Sequence, residues 1–286
     1  MTRSPAAAPP EAATDFERKA AALEERIATL NSVIVAYSGG VDSALIAVTA
    51  TRLLGARALC ITADSPSYPQ RHRDLALGVV GAFHLHHEFI ETAEMDRPEY
   101  RANAGDRCYY CKNELYTKLT GVARARGFAA VVDGSNADDR GDYRPGRQAA
   151  REFGVVSPLD EAGLTKAEVR ELARRAGLSI WDEPASACLS SRIPYHTEVT
   201  REKLRTVEQA ERVLRDLGFR VFRVRHHDTV ARIEIGRDEI PRVLAPEVAD
   251  AIDVSLRALG YQHVAVDLRG YRLGSLNDAL RLRPVS

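Results

Sequence analysis

The chain has 286 residues, 45% of them hydrophobic, and its forty Lys and Arg are matched by forty Asp and Glu. That length supports two ordinary domains, each with its own core, and the balanced charge supplies no global field toward nucleic acid, a membrane surface or another polyanion. No apolar run approaches the roughly 18 residues of a membrane helix, and the first residues lack the charged, apolar and small-residue order of a signal peptide, so a cytoplasmic protein is expected. Four unevenly spaced cysteines in a reducing compartment do not read as a disulfide framework, so Cys60, Cys108, Cys111 and Cys188 each need a separate explanation.

Residues 1–14 are rich in Ala and Pro without apolar periodicity and read as a disordered tail. Helical spacing runs from Asp15 to Leu30, and Val33 to Tyr37 is a short buried-strand run. The pattern then alternates: helix Val41 to Leu54, strand Ala58 to Ala63, helix Asp74 to Val80, strand Phe83 to Ile90, helix Lys112 to Arg126, strand Ala129 to Asp133. Such alternation predicts an α/β fold with an open, parallel, doubly wound sheet. Thr165 and Glu168 form a capping box for a helix that closes near Gly177.

After an irregular stretch from Trp181 to Thr200 the style changes. An amphipathic helix carries Leu204, Val207, Val213, Leu214 and Leu217 on one side and ends at Gly218. Strands Phe219 to His226 and Thr229 to Ile235 flank a tight His227-Asp228 link, and a helix near Pro246 to Leu259 and a strand near His263 to Leu268 complete an α-β-β-α-β unit. The expected organisation is a tail (1–14), an α/β domain (15–199) and a smaller α+β domain (200–286) for substrate binding and homo-oligomer contacts.

Between the first strand and its helix lies Ser38-Gly39-Gly40-Val41-Asp42-Ser43. Gly39 and Gly40 let the backbone turn tightly against an anion, the helix start offers free N–H groups, and Ser38 and Ser43 add hydroxyls. There is no Walker A lysine, so neutralisation falls to the helix dipole, remote cations and magnesium, which Asp42 helps to hold. The loop resembles the SGGxDS signature of the ATP pyrophosphatase (PP-loop) superfamily, adenine nucleotide alpha hydrolase-like in fold. That resemblance implies release of pyrophosphate and attachment of AMP to a substrate oxygen. Ligands of open parallel sheets sit beyond the strand carboxyl ends, which places Thr62 and Ala63 near adenine and Gly134 near the α-phosphate. The run Gly134 to Asp139 reads either as a second nucleotide-proximal segment or as a polar turn.

Cys108 and Cys111 form a Cys-x2-Cys pair, and Cys188 lies in the irregular stretch where active-site loops belong. An isolated pair can be fortuitous or redox-active, but a third thiol lets three thiolates meet over the nucleotide site. A tetrahedral zinc would need a fourth ligand, and His84, His86 and His87 read instead as an exposed strand edge. Three thiolates suit a 4Fe–4S cluster with one open iron. Cys60, within an apolar run, reads as a core thiol.

The segments SGGVDS, CYYCKNELY, DGSNADD and EPASACLSSRIPY, followed by the small unit, resemble the LarE family from Phe16 onward. The resemblance implies an ATP-dependent sulfur transferase that adenylates a carboxylate of pyridinium-3,5-dicarboxylate mononucleotide and displaces AMP with sulfur. Its product would serve the nickel-pincer nucleotide cofactor. In such proteins either a lone cysteine, at the position of Cys188, surrenders its own sulfur, or three cysteines hold a cluster that carries sulfide. Cys108 and Cys111 favour the cluster, with ATP and Mg2+ as the other cofactors and a sulfide or other sulfur donor as partner.

Arg223 and Arg225 lie two apart on one strand, so they share a face and form either a phosphate fork or a solvated edge. The resemblance favours the fork and adds Ser191, Arg192 and Glu211 as substrate contacts. Lys112 either neutralises phosphates or faces water. Rival readings are a PP-loop tRNA thiolase, against which the neutral charge argues, an ammonia-using synthetase of the NAD or GMP kind, and a non-catalytic nucleotide sensor.

Overall fold

A computed structural model describes residues 13–141, 145–184, 187–272 and 275. Most of the expected tail, and Ala185 and Ser186 of the Cys188 motif, lie outside the described residues. The first part of the chain runs α1 (Asp15–Thr29), β1 (Val33–Ala36), α2 (Val41–Leu54), β2 (Ala58–Asp64), α3 (Gln70–Phe83) and β3 (His87–Glu91). It continues through α4 (Pro98–Arg101), α5 (Arg107–Arg126), β4 (Ala130–Val132), α6 (Pro145–Glu152), α7 (Pro158–Glu161) and α8 (Lys166–Arg175). Thr14, counted in the tail from sequence, caps α1 through a capping box with Glu17.

All four side chains of β1 are buried, as expected of a parallel strand covered on both faces. Val33 and Val35 enter one core with α1, α2 and α8, while Ile34 and Ala36 enter another with α5 and α6. On β2 the same alternation sends Cys60 to the first core and Ile61 to the second. The strand order is β3-β2-β1-β4, all parallel. The chain therefore leaves β1 to one side and returns to its other side at β4. The crevice between those carboxyl ends is a topological switch point, where open sheets bind ligands.

The later elements are α9 (Arg201–Asp216), β5 (Phe222–His227), β6 (Val230–Ile235), α10 (Ile240–Val243), α11 (Pro246–Ala258) and β7 (His263–Val266). β5 pairs antiparallel with β6, and β6 parallel with β7. Val224, Ala231, Ile233 and Ile235 pack under α9 and α11. Strand alternation then puts Arg223, Arg225, Arg232 and Glu234 on the opposite face, and Arg225 reaches from there to the Ser191 carbonyl of the Cys188 segment.

Three boundaries differ from the sequence reading. α3 extends to Phe83 because Ala76, Val79, Val80 and Phe83 continue the helical stripe, and His84 closes it in the left-handed region at φ 51°. Of the three histidines only His87 lies on the strand. α5 begins at Arg107 rather than Lys112, which brings both cysteines of the Cys-x2-Cys pair into its first turns. The hairpin register pairs His227 with Val230, so the tight link is Asp228-Thr229, with Asp228 at φ 50°.

Candidate active site

The phosphate loop is shaped by close approach. Gly39 has φ 72°, and a Cβ there would sit 2.8 Å from the Ala76 Cβ. Ser43 Oγ accepts from Ser38 N at 3.1 Å and donates to the Gly40 carbonyl at 3.0 Å, which locks the turn. Gly40 caps α2 without a side-chain hydrogen bond, leaving first-turn N–H groups for an anion. Gly134 belongs to the same surface, because a Cβ there would lie 2.7 Å from Ser43 N.

Thr62 is buried at the end of β2, where its hydroxyl donates to the Tyr37 carbonyl at 2.8 Å and lies 2.8 Å from His87 Nε2. Ala63 follows it, half-buried, paired in register with Ile90. Asp42 accepts from Asn136 Nδ2 at 3.2 Å, so the Gly134 to Asp139 segment folds onto the loop instead of standing apart as a turn. Asp42 also forms an ion pair with Lys166. Sequence reasoning found the capping box that starts α8 but passed over Lys166, which that box places at the first helical position. A cation directly after a cap was the available signal.

The Cys188 segment and the start of α5 are pinned together. Buried Arg107 donates to the Ser190 carbonyl at 2.8 Å, and Tyr100 Oη lies 2.6 Å from Ser190 Oγ. Asn103 Nδ2 donates to the Pro194 and Thr197 carbonyls at 2.7 and 3.0 Å. From the other side, Leu189 N donates to the Ser67 carbonyl at 2.9 Å. Cys188 is thereby held over the start of α5, where Cys111 packs against the apolar group of Leu189, Met95 and Tyr100.

The charges of Cys108, Cys111 and Cys188 act on one another. Burial pushes the Cys108 thiol up, although its surface opens to solvent, and Arg107 opposes that rise. Cys111 is pushed up by burial and then by Glu94. Glu94 was not anticipated: it is 1% exposed, its Oε1 accepts from Ser65, and its Oε2 has no partner among the described residues. Cys60 sits in the core away from this group, its pKa pushed by burial to about 12. Lys112 does not simply face water, since its ammonium stacks 5.2 Å from the Tyr116 ring centre.

Among the described residues no three Cys, His, Asp or Glu side chains converge as a single metal ion requires. A polynuclear cluster distributes its ligands over several metal atoms, and its usual donors are thiolates. Cys108, Cys111 and Cys188 lie within each other's field, but burial holds the Cys108 and Cys111 thiols up against the pull of Arg107 and Lys112, so a bound cluster would itself have to supply the charge that makes them thiolates.

Next to Cys188 lies a pocket of about 300 Å³ between the start of α3 and the β5 side of the small sheet. Arg192 and Glu211 meet in its wall as a buried bidentate pair, at 2.8 and 3.0 Å. Arg192 also donates to the Cys188 carbonyl at 3.1 Å and to Ser191 Oγ at 3.0 Å. Arg223 lines the pocket and stacks over Tyr271, 5.1 Å from the ring centre. Arg225 does not line it. That guanidinium is 1% exposed and is held by Glu234, Ser275 and the Ser191 carbonyl. Of the five substrate-facing residues read from sequence, Arg192, Glu211 and Arg223 therefore line the pocket, Ser191 touches it only through Arg192, and Arg225 braces the Ser191 carbonyl from behind.

A parallel sheet with a glycine loop at its switch point, and a second, smaller sheet, define an α/β enzyme of the PP-loop ATP pyrophosphatase kind. No family model matches the chain. It is 36% identical, over 92% of its length and 95% of the relative's, to the pyridinium-3,5-bisthiocarboxylic acid mononucleotide synthase of Lactiplantibacillus plantarum. It is 42% identical, over 93% of its length and 99% of the relative's, to an uncharacterized protein of Synechocystis. The GMP synthase of Streptococcus uberis is 27% identical over 64% of this chain and 39% of its own. The chain belongs to the LarE family of sulfur transferases. No described helix is long and apolar enough to cross a membrane.

Proposed function

We propose that the protein adenylates a carboxylate of pyridinium-3,5-dicarboxylate mononucleotide with ATP and then replaces AMP with sulfur to give the thiocarboxylate. The observation that carries this reading is that the Cys188 segment is tied to the turn after β2 by Leu189 N and to the wall of the arginine pocket by Arg192. Residues 15–199 would serve as the activating unit, and α9, β5 and the turn between them would supply much of the substrate wall from the 200–286 unit.

In this reading Ser38, Gly39, Gly40 and Ser43 cradle the phosphates, Gly134 permits close approach of the α-phosphate, and Thr62 and Ala63 border adenine. Lys166 and Asp42 supply opposite charges beside the loop, and with magnesium present Asp42 would turn to the metal and leave Lys166 for phosphate oxygens. Ser191 and Arg223 orient the substrate, with Arg192 held beside them by Glu211, so that its carboxylate oxygen attacks the α-phosphate as pyrophosphate leaves. Sulfur then adds to the activated carbonyl and AMP departs with the C–O bonding pair. Cys108, Cys111 and Cys188 would hold a 4Fe–4S cluster, which supplies an open iron for the transferable sulfide. The alternative is that Cys188 surrenders its own sulfur, a reading favoured by its place beside Arg192.

Anaerobic reconstitution with iron and sulfide, together with metal analysis and a visible spectrum, tests the choice. Bound iron and a brown chromophore, both lost in Cys108→Ala, are expected. A colourless, iron-free protein that still makes one thiocarboxylate per chain would return the sulfur to Cys188 itself.

A further inference from the structure

We infer that Arg215 and Arg71, from α9 and α3 and outside every sequence motif of the site, complete with Arg223 the site for the phosphate of the mononucleotide, and that Arg225 is a brace. The inference rests on the proposed substrate class and assigns which cations read it.

The pocket is lined by five arginines: Arg71, Arg192, Arg215, Arg220 and Arg223. A buried guanidinium needs an opposite charge, so the distribution of carboxylates decides which of them can serve a ligand. Arg192 is committed to Glu211, Arg71 pairs with Glu183, and Arg220 lies 3.7 Å from Asp182. Arg215 has no ion pair among the described residues, and its guanidinium lies 5.8 Å from the ring centre of Phe222. Burial and the facing charge of Arg71 make its protonated state harder to hold, outweighing Glu211, Asp216 and Glu208, and burial with Arg192 and Arg225 does the same at Arg223 against Tyr271 and Glu211. Cations that depress one another across a small pocket form a site that a doubly charged anion would relieve.

The chemistry of the walls selects phosphate on a flat ring. Phe222, Tyr271, Pro69 and Pro184 supply apolar faces between the arginines. The Arg71–Glu183 pair is half-exposed, so Arg71 can change partners without stranding a buried charge. Arg225 cannot: leaving Glu234 would strand a carboxylate that is itself 1% exposed. A two-residue spacing on a strand thus leaves one arginine facing ligand and the other facing protein.

The test is calorimetric binding of nicotinic acid mononucleotide and of its nucleoside to the full-length protein and its variants. Arg215→Gln and Arg71→Gln are each expected to weaken the mononucleotide by about tenfold to a hundredfold while leaving the nucleoside within about twofold, the loss of one charge-assisted contact. Arg215→Lys should recover part of the loss. Arg225→Gln is expected to lower the melting temperature, and to keep the preference for mononucleotide over nucleoside when assayed below that temperature. Unchanged mononucleotide affinity in Arg215→Gln, or an equal loss for the nucleoside, would overturn the assignment while leaving the sulfur-transfer reading intact. If the parent protein binds inorganic phosphate and AMP as tightly as the pyridine nucleotide, and Arg215→Gln weakens all three, the anion site stands and the substrate class is wrong.

Discussion

The phosphate loop and the arginine pocket both face anions, but they are built from opposite materials. The loop offers main-chain N–H groups, fixed by a turn that Ser43 locks and by Gly39 lying under Ala76. Such donors carry no net charge and need no counter-ion. The pocket offers side chains, and most of its cations arrive already paired with Glu183, Glu211 or Asp182. The loop is therefore vulnerable to a single added carbon and the pocket to a single lost carboxylate.

The largest expected effect separates substrate activation from sulfur transfer. Cys188→Ala should lower thiocarboxylate formation at least about a thousandfold while pyrophosphate is still released from ATP with substrate present; sulfur product at the parent rate by mass spectrometry would remove Cys188 from the chemistry. Gly134→Ala tests the loop side. Its new Cβ would meet backbone at Ser43 N, so pyrophosphate release should slow by about a hundredfold with little change in binding of the mononucleotide.

On the pocket side, Glu211→Ala leaves Arg192 buried and alone and takes the acceptor from Val224 N. It should cost about 3 kcal/mol in urea unfolding, and a loss near zero would show that Arg192 escapes to solvent. The smallest effect concerns pH. Burial, then Arg192 and Arg71, hold His72 down to about 4, with Arg215 adding and Glu211 opposing. Between about 6.5 and 4 the unfolded chain takes up a proton that the folded chain refuses, so this group's contribution is full at neutral pH and is lost as pH falls through that window. His72→Gln should flatten the stability slope there by up to about one proton.

The same contrast in materials explains which parts of the molecule are legible in the sequence. The glycine loop and the strand-helix alternation are local patterns, and α2 runs from Val41 to Leu54 as its periodicity indicates. The joining of the Cys-x2-Cys helix to the Cys188 segment had no local signal, because the contacts that make it, from Arg107, Asn103 and Tyr100 to residues 190–197, link segments some ninety positions apart. Glu94, Arg71 and Arg215 left no pattern because each is a single charged residue on an otherwise ordinary element, whereas Lys166 was marked by the cap it follows. Arg225 shows the converse. Its spacing from Arg223 fixed the face correctly, but only Glu234 across the hairpin decides what that face meets.

Cys60 gives the molecule an internal standard for thiol counting. It is fully buried beneath α2 and its thiol rises to about 12, so alkylating reagents at neutral pH should not reach it in the folded chain. A label on Cys60, located by peptide mass, then marks opening of the sheet whichever of the other three thiols has reacted. A protein preparation can thus be scored for both site occupancy and foldedness in a single spectrum.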